Sequence, residues 1–247
     1  MWAHPLTRDP RATRYRGEIE QYLRRRARIL RSKKKTAEKL GLSLEAIDSA
    51  TPVLEPISRG SWSDTKLWTL LVRAFHPMPF MGGAGRYIRF FIRDMNDGRM
   101  LGCASLGSAV LSCAARDRWI GWTMQQRLRN LRKVANNRRF LILPNVRVRN
   151  LASRVLALLC DMGQKEWESR YGDPLALVET FVEPGYPGTS YRAAGWMRIG
   201  ETQGFTHITL RISALADKKT SVYLYTGQKK SIFVRPLSRF WAAELMK

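Results

Sequence analysis

Three side chains in the second half of the sequence could act at one site, two by acid–base chemistry and one by holding an anion. Glu179 is a lone carboxylate in an apolar run, residues 174–182, where an unpaired charge is costly. It either forms a salt bridge with one of the many arginines, or burial raises its pKa and makes it a general base. Tyr191 and Arg192 follow Gly188-Thr189, where they could donate a proton and hold an anion. Core packing is the competing interpretation of Tyr191.

The elements around these residues predict a strand–helix–strand crossover. Residues 140–148 form a β-branched run, and Asn150 is placed to cap a helix over 151–164. The apolar positions 151, 155, 158, 159 and 162 form one stripe of that helix. A second strand over 174–182 follows, then a helical turn at 189–195 and a strand at 196–201. Such a crossover directs a helix N-terminus at the mouth between two strands, where anionic ligands bind.

The rest of the pattern is also mixed. A helix ends before Pro77, and strands over 86–94 and 99–107 are joined by a turn at Asp97-Gly98. Thr123 begins a basic helix, and short β-rich pieces follow around 208–212, 221–225 and 231–234. The predicted fold class is α+β or α/β, with a mixed sheet flanked by helices.

Positive charge is concentrated in two stretches. The formal net charge is +23; residues 8–39 hold thirteen basic and four acidic residues, and residues 116–154 hold eleven basic and one acidic. Arginine dominates both stretches and suits phosphates and guanine edges, so DNA is the expected partner. A merely basic surface, an anionic membrane or an acidic protein are the alternatives. The candidate nucleic-acid residues are Arg24, Arg25, Arg26, Arg28, Lys33, Lys34, Lys35, Arg127, Arg129, Arg132, Lys133, Arg138, Arg139, Arg149 and Arg192.

The expected domains follow from composition. Residues 1–50 predict a basic helical module, either a helix–turn–helix or an ordinary helical hairpin. Residues 51–63, with Pro52, Pro56 and Gly60, predict a linker. Residues 64–247 predict an α/β domain with a basic insertion at 108–137.

Several classes of site and location are disfavoured. The three cysteines form no CxxC pair and the three histidines are scattered, which disfavours a metal site and disulfides. No apolar run approaches the roughly 20 residues of a membrane helix. A secretory signal is not indicated, so the bacterial cytoplasm and its nucleoid are the expected location. Asp173 and Glu179 bracket a strand as nuclease carboxylates would, but no lysine follows Glu179.

The order of these elements resembles the acetyltransferase fold of the general-control type. The resemblance implies that residues 146–148 form a splayed strand edge and that the following loop holds the pyrophosphate of an acyl-coenzyme A. The family pattern is Arg/Gln-x-x-Gly-x-Gly/Ala; the chain keeps Arg147 and Ala152 and has Asn150, which tolerates the left-handed conformation, at the first glycine. Tyr191 falls at the family's general-acid tyrosine. The implied cofactor residues are Val146, Arg147, Val148, Asn150, Leu151 and Ala152.

A closer resemblance covers roughly residues 86–205. The stretches ARDRWIGW, NNRRFLILPNVRVRNLASRVLAL, VETFVEP, GTSYRAAGW and GETQG resemble the DruA proteins of the Druantia anti-phage system, whose domain also occurs near bacterial transposases. The resemblance implies a DNA-directed role in defence or in a mobile element. Gly195 and Phe205 replace an Asn and a basic residue of that pattern, which would alter substrate handling or abolish turnover.

Three hypotheses follow. The first is a DNA-binding protein with an acyltransferase-like core that modifies DNA or a DNA-bound partner, with Glu179 as base and Tyr191 as acid. The second is a non-catalytic DNA-binding or assembly subunit of a multi-protein complex. The third is a metal-dependent nuclease or strand-transfer enzyme that uses Asp173 and Glu179.

Overall fold

The computed structural model describes residues 45–77, 85–211 and 219–247, together with residues 17, 20, 21 and 24. The predicted basic module therefore lies largely outside the described residues, including Arg25, Arg26, Arg28, Lys33, Lys34 and Lys35. Arg24 is described, is highly exposed and forms an ion pair with Glu20 at 3.7 Å.

Nine strands and six α-helices make up the described part of the chain. In chain order they are β1 Pro52–Pro56, α1 Trp62–Phe75, β2 Tyr87–Asp94, β3 Met100–Ser108, α2 Ala114–Ile120, α3 Met124–Asn130, β4 Val134–Ile142, α4 Leu151–Tyr171, β5 Leu177–Val182, α5 Thr189–Ala193, β6 Met197–Glu201, β7 Phe205–Arg211, β8 Lys219–Tyr225, β9 Ser231–Pro236 and α6 Trp241–Met246. A 3₁₀ turn, Leu131–Lys133, precedes β4. Among the described helices, none has both the length and the apolar character needed to span a membrane.

Seven strands form one mixed sheet in the order β1-β2-β3-β4-β5-β9-β6. All neighbours are antiparallel except β4 and β5, which are parallel and are connected by the crossover helix α4. Among the described strands, β7 and β8 pair with each other alone, and in the chain this hairpin lies between β6 and β9. The predicted fold class is confirmed: the described part of the chain forms a mixed sheet flanked by helices.

The sheet is covered by helices on both faces. On one, the α4 face, the buried side of α4 packs on alternate residues of the central strands such as Phe90 and Leu106. Gly163 lets α4 approach closely, because a Cβ there would lie 2.4 Å from Leu106 Cδ1. On the other, the α1 face, Trp68 of α1 packs on Phe91 and Cys103.

The predicted linker is wrong, because part of it belongs to the sheet. Pro52–Pro56 is edge strand β1 and pairs with β2 from Pro52–Asp94 to Pro56–Phe90. Proline is tolerated at a sheet edge, since one side of an edge strand needs no ladder hydrogen bonds. The boundary at residue 50 also fails, because Ile47 and Ala50 are buried in the core beneath α4.

The strand predicted over 140–148 lies six residues nearer the N-terminus in the structure. The actual strand, β4, spans Val134–Ile142 and ends just before Pro144. The predicted insertion at 108–137 therefore corresponds to residues 109–133, between β3 and β4. Its capped helix is confirmed at its start, where Thr123 and Gln126 form a reciprocal capping box.

The insertion packs on the α1 face beside the strands at the far end of the sheet. Ile120 and Trp122 join Val134, Leu177 and Val234 in one buried cluster. Trp119 stacks on Trp241 of α6, with ring centroids 4.5 Å apart. These tryptophans serve the packing of the insertion.

Candidate functional site

Strands β4 and β5 separate part-way along their length. Only the first three residues of the pairing exist, from Val134–Leu177 to Asn136–Glu179. Beyond them β4 continues to Ile142 and β5 to Val182 without pairing to each other. We call the gap that begins at Asn137 the β4/β5 opening.

Tyr191 of α5 directs its hydroxyl at this opening from the α4 face. Its Oη donates a hydrogen bond to Asn137 Oδ1 at 2.8 Å. The ring stacks on Phe233 and meets Trp196 edge-on, with centroids 5.9 and 5.1 Å away. Burial raises the pKa of the Tyr191 hydroxyl to about 12, so the group is neutral near pH 7 and holds a proton that it can donate.

Asn137 fixes the direction of that hydrogen bond. Its Nδ2 donates to the backbone oxygens of Ser105 and Arg139, each at 3.0 Å. An amide nitrogen is donor-only, so Oδ1 is left as the acceptor and Tyr191 must supply the proton. Thr180 Oγ1 of β5 donates to the Asn137 backbone oxygen at 3.1 Å, and this ties the two strands together where they part.

The N-terminus of α4 lies next to a cavity on the same side. Asn150, which precedes the helix, has φ 56° and ψ 11°, and among the described residues it is the sole non-glycine with positive φ. Its side chain does not cap the helix. The Leu151 amide donates to the Val148 carbonyl at 3.3 Å, and the amides of Ala152 and Ser153 receive no cap from Asn150. The cavity has a volume of about 220 Å³ and is lined by Val148, Asn150, Leu151, Ala152, Ser153, Thr189, Ser190 and Ala193.

The predicted cofactor residues divide at this point. Val148, Asn150, Leu151 and Ala152 line the cavity. Val146 packs into the core and bridges Ile47, whose carbonyl accepts a hydrogen bond from the Arg147 amide at 2.8 Å. Residues 146–148 are therefore not a splayed strand edge, as the sequence predicted, but part of the loop after β4.

Exposed cations surround that loop. Arg147, Arg149 and Arg154 are exposed before and within the first turn of α4. Arg192 is also exposed, and its guanidinium donates to the Pro187 carbonyl at 2.7 Å. A helix N-terminus with uncapped amides and nearby guanidinium groups favours an anionic ligand.

Glu179 lies in a closed polar network on the α1 face. Its Oε2 accepts from Arg116 Nη1 at 3.0 Å, and both side chains are fully buried. Its Oε1 accepts from the Val110 amide at 3.2 Å and from Asn136 Nδ2 at 3.3 Å. Burial raises the pKa of Glu179, and the Arg116 guanidinium and the two N–H donors oppose that rise. Of the two interpretations drawn from the sequence, the salt bridge is the one observed.

The network continues into the insertion. Arg116 also binds Asp117 at 2.9 Å, and Asp117 in turn binds Arg127 at 3.0 Å and accepts from Trp122 Nε1 at 3.1 Å. Burial alone would raise the pKa of Asp117, but Arg116 and the hydrogen bonds outweigh it and hold that pKa below its usual value. These charges fasten α2 and α3 to strand β5.

Glu179 and Tyr191 are not brought together. In the β5–β9 register, Glu179 pairs with Val234, whose side chain lies in the cluster under the insertion. Thr180 pairs with Phe233, which lies in the core beneath α4 and stacks on Tyr191. Adjacent residues of a strand point to opposite faces, so the predicted base and acid lie on opposite sides of the sheet. That part of the predicted site is wrong.

Asp173 forms a separate pair of ion contacts. Arg86 Nη1 approaches one carboxylate oxygen at 2.5 Å, and Arg132 Nε approaches the other at 2.9 Å. In the described part of the chain, Asp173 and Glu179 share no partner. Within the described ranges, no group of three or more His, Cys, Asp and Glu side chains could hold a metal ion. The structure gives no support to a nuclease site made from these two acids.

The basic stretch at 116–154 does not form one patch. Arg132 and Lys133 precede β4, whereas Arg147 and Arg149 follow it. Nine residues of extended strand separate the two ends by about 30 Å. Arg127 and Arg132 are engaged in ion pairs, and Lys133 Nζ donates to the Glu244 carbonyl at 3.1 Å, while Arg129 is exposed.

Sequence reasoning missed the residues that shape the opening. Asn136 and Asn137 were placed between elements, and Thr180 and Arg116 were passed over. The available signal was the NNRR run, since polar residues preceding apolar ones at 140–143 can belong to one strand when their side chains have buried partners.

The opening, the cavity and the buried network all lie within a segment that matches a protein family. The family model for the Druantia protein DruA matches residues 19–218. The chain belongs to the DruA family. A curated relative, the Druantia protein DruA of Escherichia coli strain UMEA 4076-1, is 32% identical over 80 residues. That alignment covers 32% of this DruA-family chain and only 19% of the relative, about a fifth of its length.

Two solved structures are similar to the DruA-family chain in arrangement. The spermidine N-acetyltransferase of Vibrio cholerae, in complex with CoA and spermine, has a TM-score of 0.46 at 12% identity and covers 76% of this chain and 97% of its own. The ribosomal-protein-S18-alanine N-acetyltransferase of Escherichia coli has a TM-score of 0.42 at 13% identity, covering 76% and 95%.

Proposed function

We propose that this chain acts in anti-phage defence as a DNA-directed protein whose core binds an acyl-coenzyme A at the N-terminus of α4. The acyl end of that ligand would face the β4/β5 opening, where DNA or a DNA-bound partner would be the acceptor. Membership of the DruA family supports the defence role. The single observation that carries the ligand proposal is the left-handed Asn150, which leaves the first turn of α4 uncapped beside the cavity.

The residues present fit the phosphate portion of such a ligand. The α4 helix has 21 residues, so its dipole is fully developed, and its first turn offers amides rather than an internal cap. Ala152 and Ser153 are small, which lets an anion approach the backbone. Arg147, Arg149 and Arg154 add positive charge at the same end.

Tyr191 is the residue that could do chemistry at the opening. Bound coenzyme would supply an acyl thioester there. Tyr191 would hold a proton at Oη and pass it to the sulfur as the acyl–sulfur bond breaks and an acceptor amine bonds to the acyl carbon. The amine would release its own proton to solvent, and Tyr191 would be reprotonated from solvent. Asn137 keeps Oη in place through the 2.8 Å hydrogen bond. Glu179 takes no part, because it is bound to Arg116 on the other face.

Calorimetric titration with acetyl-coenzyme A tests the ligand proposal. The key variant is Ala152→Glu, which adds a negative charge at the helix N-terminus, where it suits the dipole but repels a phosphate. We expect a loss of affinity of at least tenfold. The matched control, Ala157→Glu, adds the same charge five residues, or about 1.4 turns, further along α4 and should bind as the wild type does. No binding by the wild type, or equal binding by both variants, would refute the proposal.

A non-catalytic DNA-binding or assembly subunit is the second candidate. It is favoured by the buried pairing of Glu179 with Arg116, which removes the one predicted general base from the opening. Protection of bacteria against phage separates the two candidates. An acyltransferase loses protection in Tyr191→Phe, whereas an assembly subunit keeps it as long as the variant folds.

A further inference from the structure

Three arginines converge on the α1 face near the β4/β5 opening. Arg89 of β2 lies opposite Ser105, and Ser105 lies opposite Arg139 of β4. An irregularity in the β3–β4 register between Ser105 and Leu106 leaves Arg138 as an extra residue of β4. This bulge directs Arg138 and Arg139, although successive in sequence, to the same face.

Contacts with Tyr87 and Gly107 show where Arg138 lies. Its Cδ passes over Gly107, where an added Cβ would come within 2.3 Å. Its guanidinium lies 5.7 Å from the centroid of the Tyr87 ring, and the Arg89 guanidinium lies 4.5 Å from the same centroid. The guanidinium groups of Arg89 and Arg138 therefore both lie beside the Tyr87 ring. The Tyr87 hydroxyl donates a hydrogen bond to Ser105 Oγ at 3.1 Å.

Arg89, Arg138 and Arg139 bring three positive charges together in a half-buried place, where burial disfavours the charged form of each side chain. Burial lowers the pKa of Arg139, and the neighbouring Arg138 acts in the same direction while Tyr87 and Glu183 oppose it. Glu183 is itself bound to Lys230 at 2.7 Å. Among the described residues Arg89 makes no ion pair, and its Nε is buried without an acceptor. Guanidinium groups gathered at one place produce a positive potential that attracts an anionic ligand.

We infer that Arg89, Arg138 and Arg139 form a cleft that binds the phosphates of a single nucleic-acid strand on the α1 face. The inference rests on the proposed function and deepens it, because it names the acceptor class and its side of the sheet. Coenzyme and nucleic acid would then approach the β4/β5 opening from opposite faces.

The depth of the cluster favours a single strand over a duplex. The three arginines and Tyr87 are half-buried at the level of the sheet, next to helix α1. A helix with its side chains is about 10 Å thick, so a ligand must descend by about that distance to reach them. A flexible strand can do so, and arginines interleaved with an aromatic ring suit its phosphates and bases.

Fluorescence anisotropy with a labelled single-stranded DNA of about 20 nucleotides tests the inference. The test variant replaces Arg89, Arg138 and Arg139 with Gln. We expect it to lose at least 100-fold in affinity. The slope of log K against log salt should also fall by about two, since each lost phosphate contact removes about 0.7 for single strands.

The control variant removes the same charge elsewhere. Lys165, Lys229 and Arg239 are exposed and, in the described part of the chain, make no ion pair, so replacing them with Gln should change affinity less than threefold. Equal losses in both variants would overturn the cleft. Preferred binding of duplex DNA, or full competition by polyglutamate, would overturn the single-strand assignment.

Two further measurements distinguish the cleft from a general effect of charge and from the proposed cofactor site. Gly107→Val should displace Arg138 without removing charge, so weaker DNA binding in that variant with an unchanged melting midpoint supports the cleft. Acetyl-coenzyme A should bind the arginine variant as it binds the wild type, which also shows that the variant folds. If the wild type bound DNA but not acetyl-coenzyme A, the proposed cofactor would be refuted and the nucleic-acid cleft would not be affected.

Discussion

Glu179 and Tyr191 lie on opposite faces of the same strands and contrast in how their polar atoms are satisfied. Glu179 is a charge whose two oxygens receive bonds from Arg116, Asn136 and Val110, with no exposed surface. Tyr191 is a neutral donor with one acceptor, at the point where two strands part. A saturated buried charge orders the fold, whereas a neutral donor at an opening remains available to a ligand. The difference indicates a structural role for Glu179, and it places the chemistry of the proposed function at Tyr191 on the other face.

The largest effect should come from breaking the Glu179–Arg116 pair. Glu179→Ala leaves a buried guanidinium without its main partner, and we expect a loss of about 3–5 kcal/mol in the free energy of unfolding. Urea unfolding measures it. The double variant Glu179→Leu with Arg116→Met should recover most of the loss, because both charges are gone. If Glu179→Ala were as stable as the wild type, the structural role of Glu179 would be contradicted. If the double variant folded but lost acyl transfer, Glu179 would have a role in the chemistry.

Tyr191→Phe should give the next largest effect. The ring contacts remain while the proton donor is lost, so acyl transfer should fall by about 10²–10⁴-fold with coenzyme affinity nearly unchanged. Stability should fall by about 1–3 kcal/mol, because Asn137 Oδ1 loses its donor. Tyr186→Phe, at a residue that is 58% exposed, is the control and should change neither quantity. Unimpaired transfer in Tyr191→Phe would remove the chemistry from the α4 face.

The pH dependence of stability sharpens the same assignment. Burial raises the pKa of Tyr191 to about 12, above its ordinary value of 10.0. Its contribution is therefore complete below pH 10 and is lost as the pH rises to about 12. Over that window the stability difference between wild type and Tyr191→Phe should shrink by on the order of 2 kcal/mol. If the stability difference between the two proteins stayed constant from about pH 9 to about pH 12, the Tyr191 hydroxyl would not be buried.

The smallest effect concerns Asn150. Asn150→Ala should cost about 1–2 kcal/mol, since a side chain without local hydrogen bonding disfavours the left-handed conformation. Asn150→Gly should be neutral or slightly stabilising and should keep coenzyme affinity, because the helix amides stay uncapped. Weaker coenzyme binding in the glycine variant would mean that the Asn150 side chain itself contacts the ligand.

Elements with a strong period could be predicted from sequence. The apolar stripe of α4 is observed at Leu151, Val155 and Leu159, and the helix begins where it was expected. The Asp97-Gly98 turn joins β2 and β3 as expected, with Gly98 at φ 73°. Local rules suffice in both cases, because one face of each element packs on the core.

The site itself could be predicted only in part. Strand β4 was displaced because Asn136 and Asn137 have low β-propensity, and only their tertiary partners make a strand there favourable. The positions of Asn150 and Tyr191 followed from the resemblance to acetyltransferases. The face on which Glu179 points depends on the exact strand register, which a one-residue error reverses.

Strand β9 lies between β5 and β6, although β6 and the β7–β8 hairpin precede it in the chain. During synthesis on the ribosome, β5 therefore waits with an unpaired edge until residues 231–236 have emerged. Phe233 arrives with them and completes the aromatic wall behind Tyr191. The Tyr191 ring thus gains its final packing only when this late segment docks, and a nascent chain that stalls earlier carries the DruA sequence motifs while the aromatic wall is still incomplete.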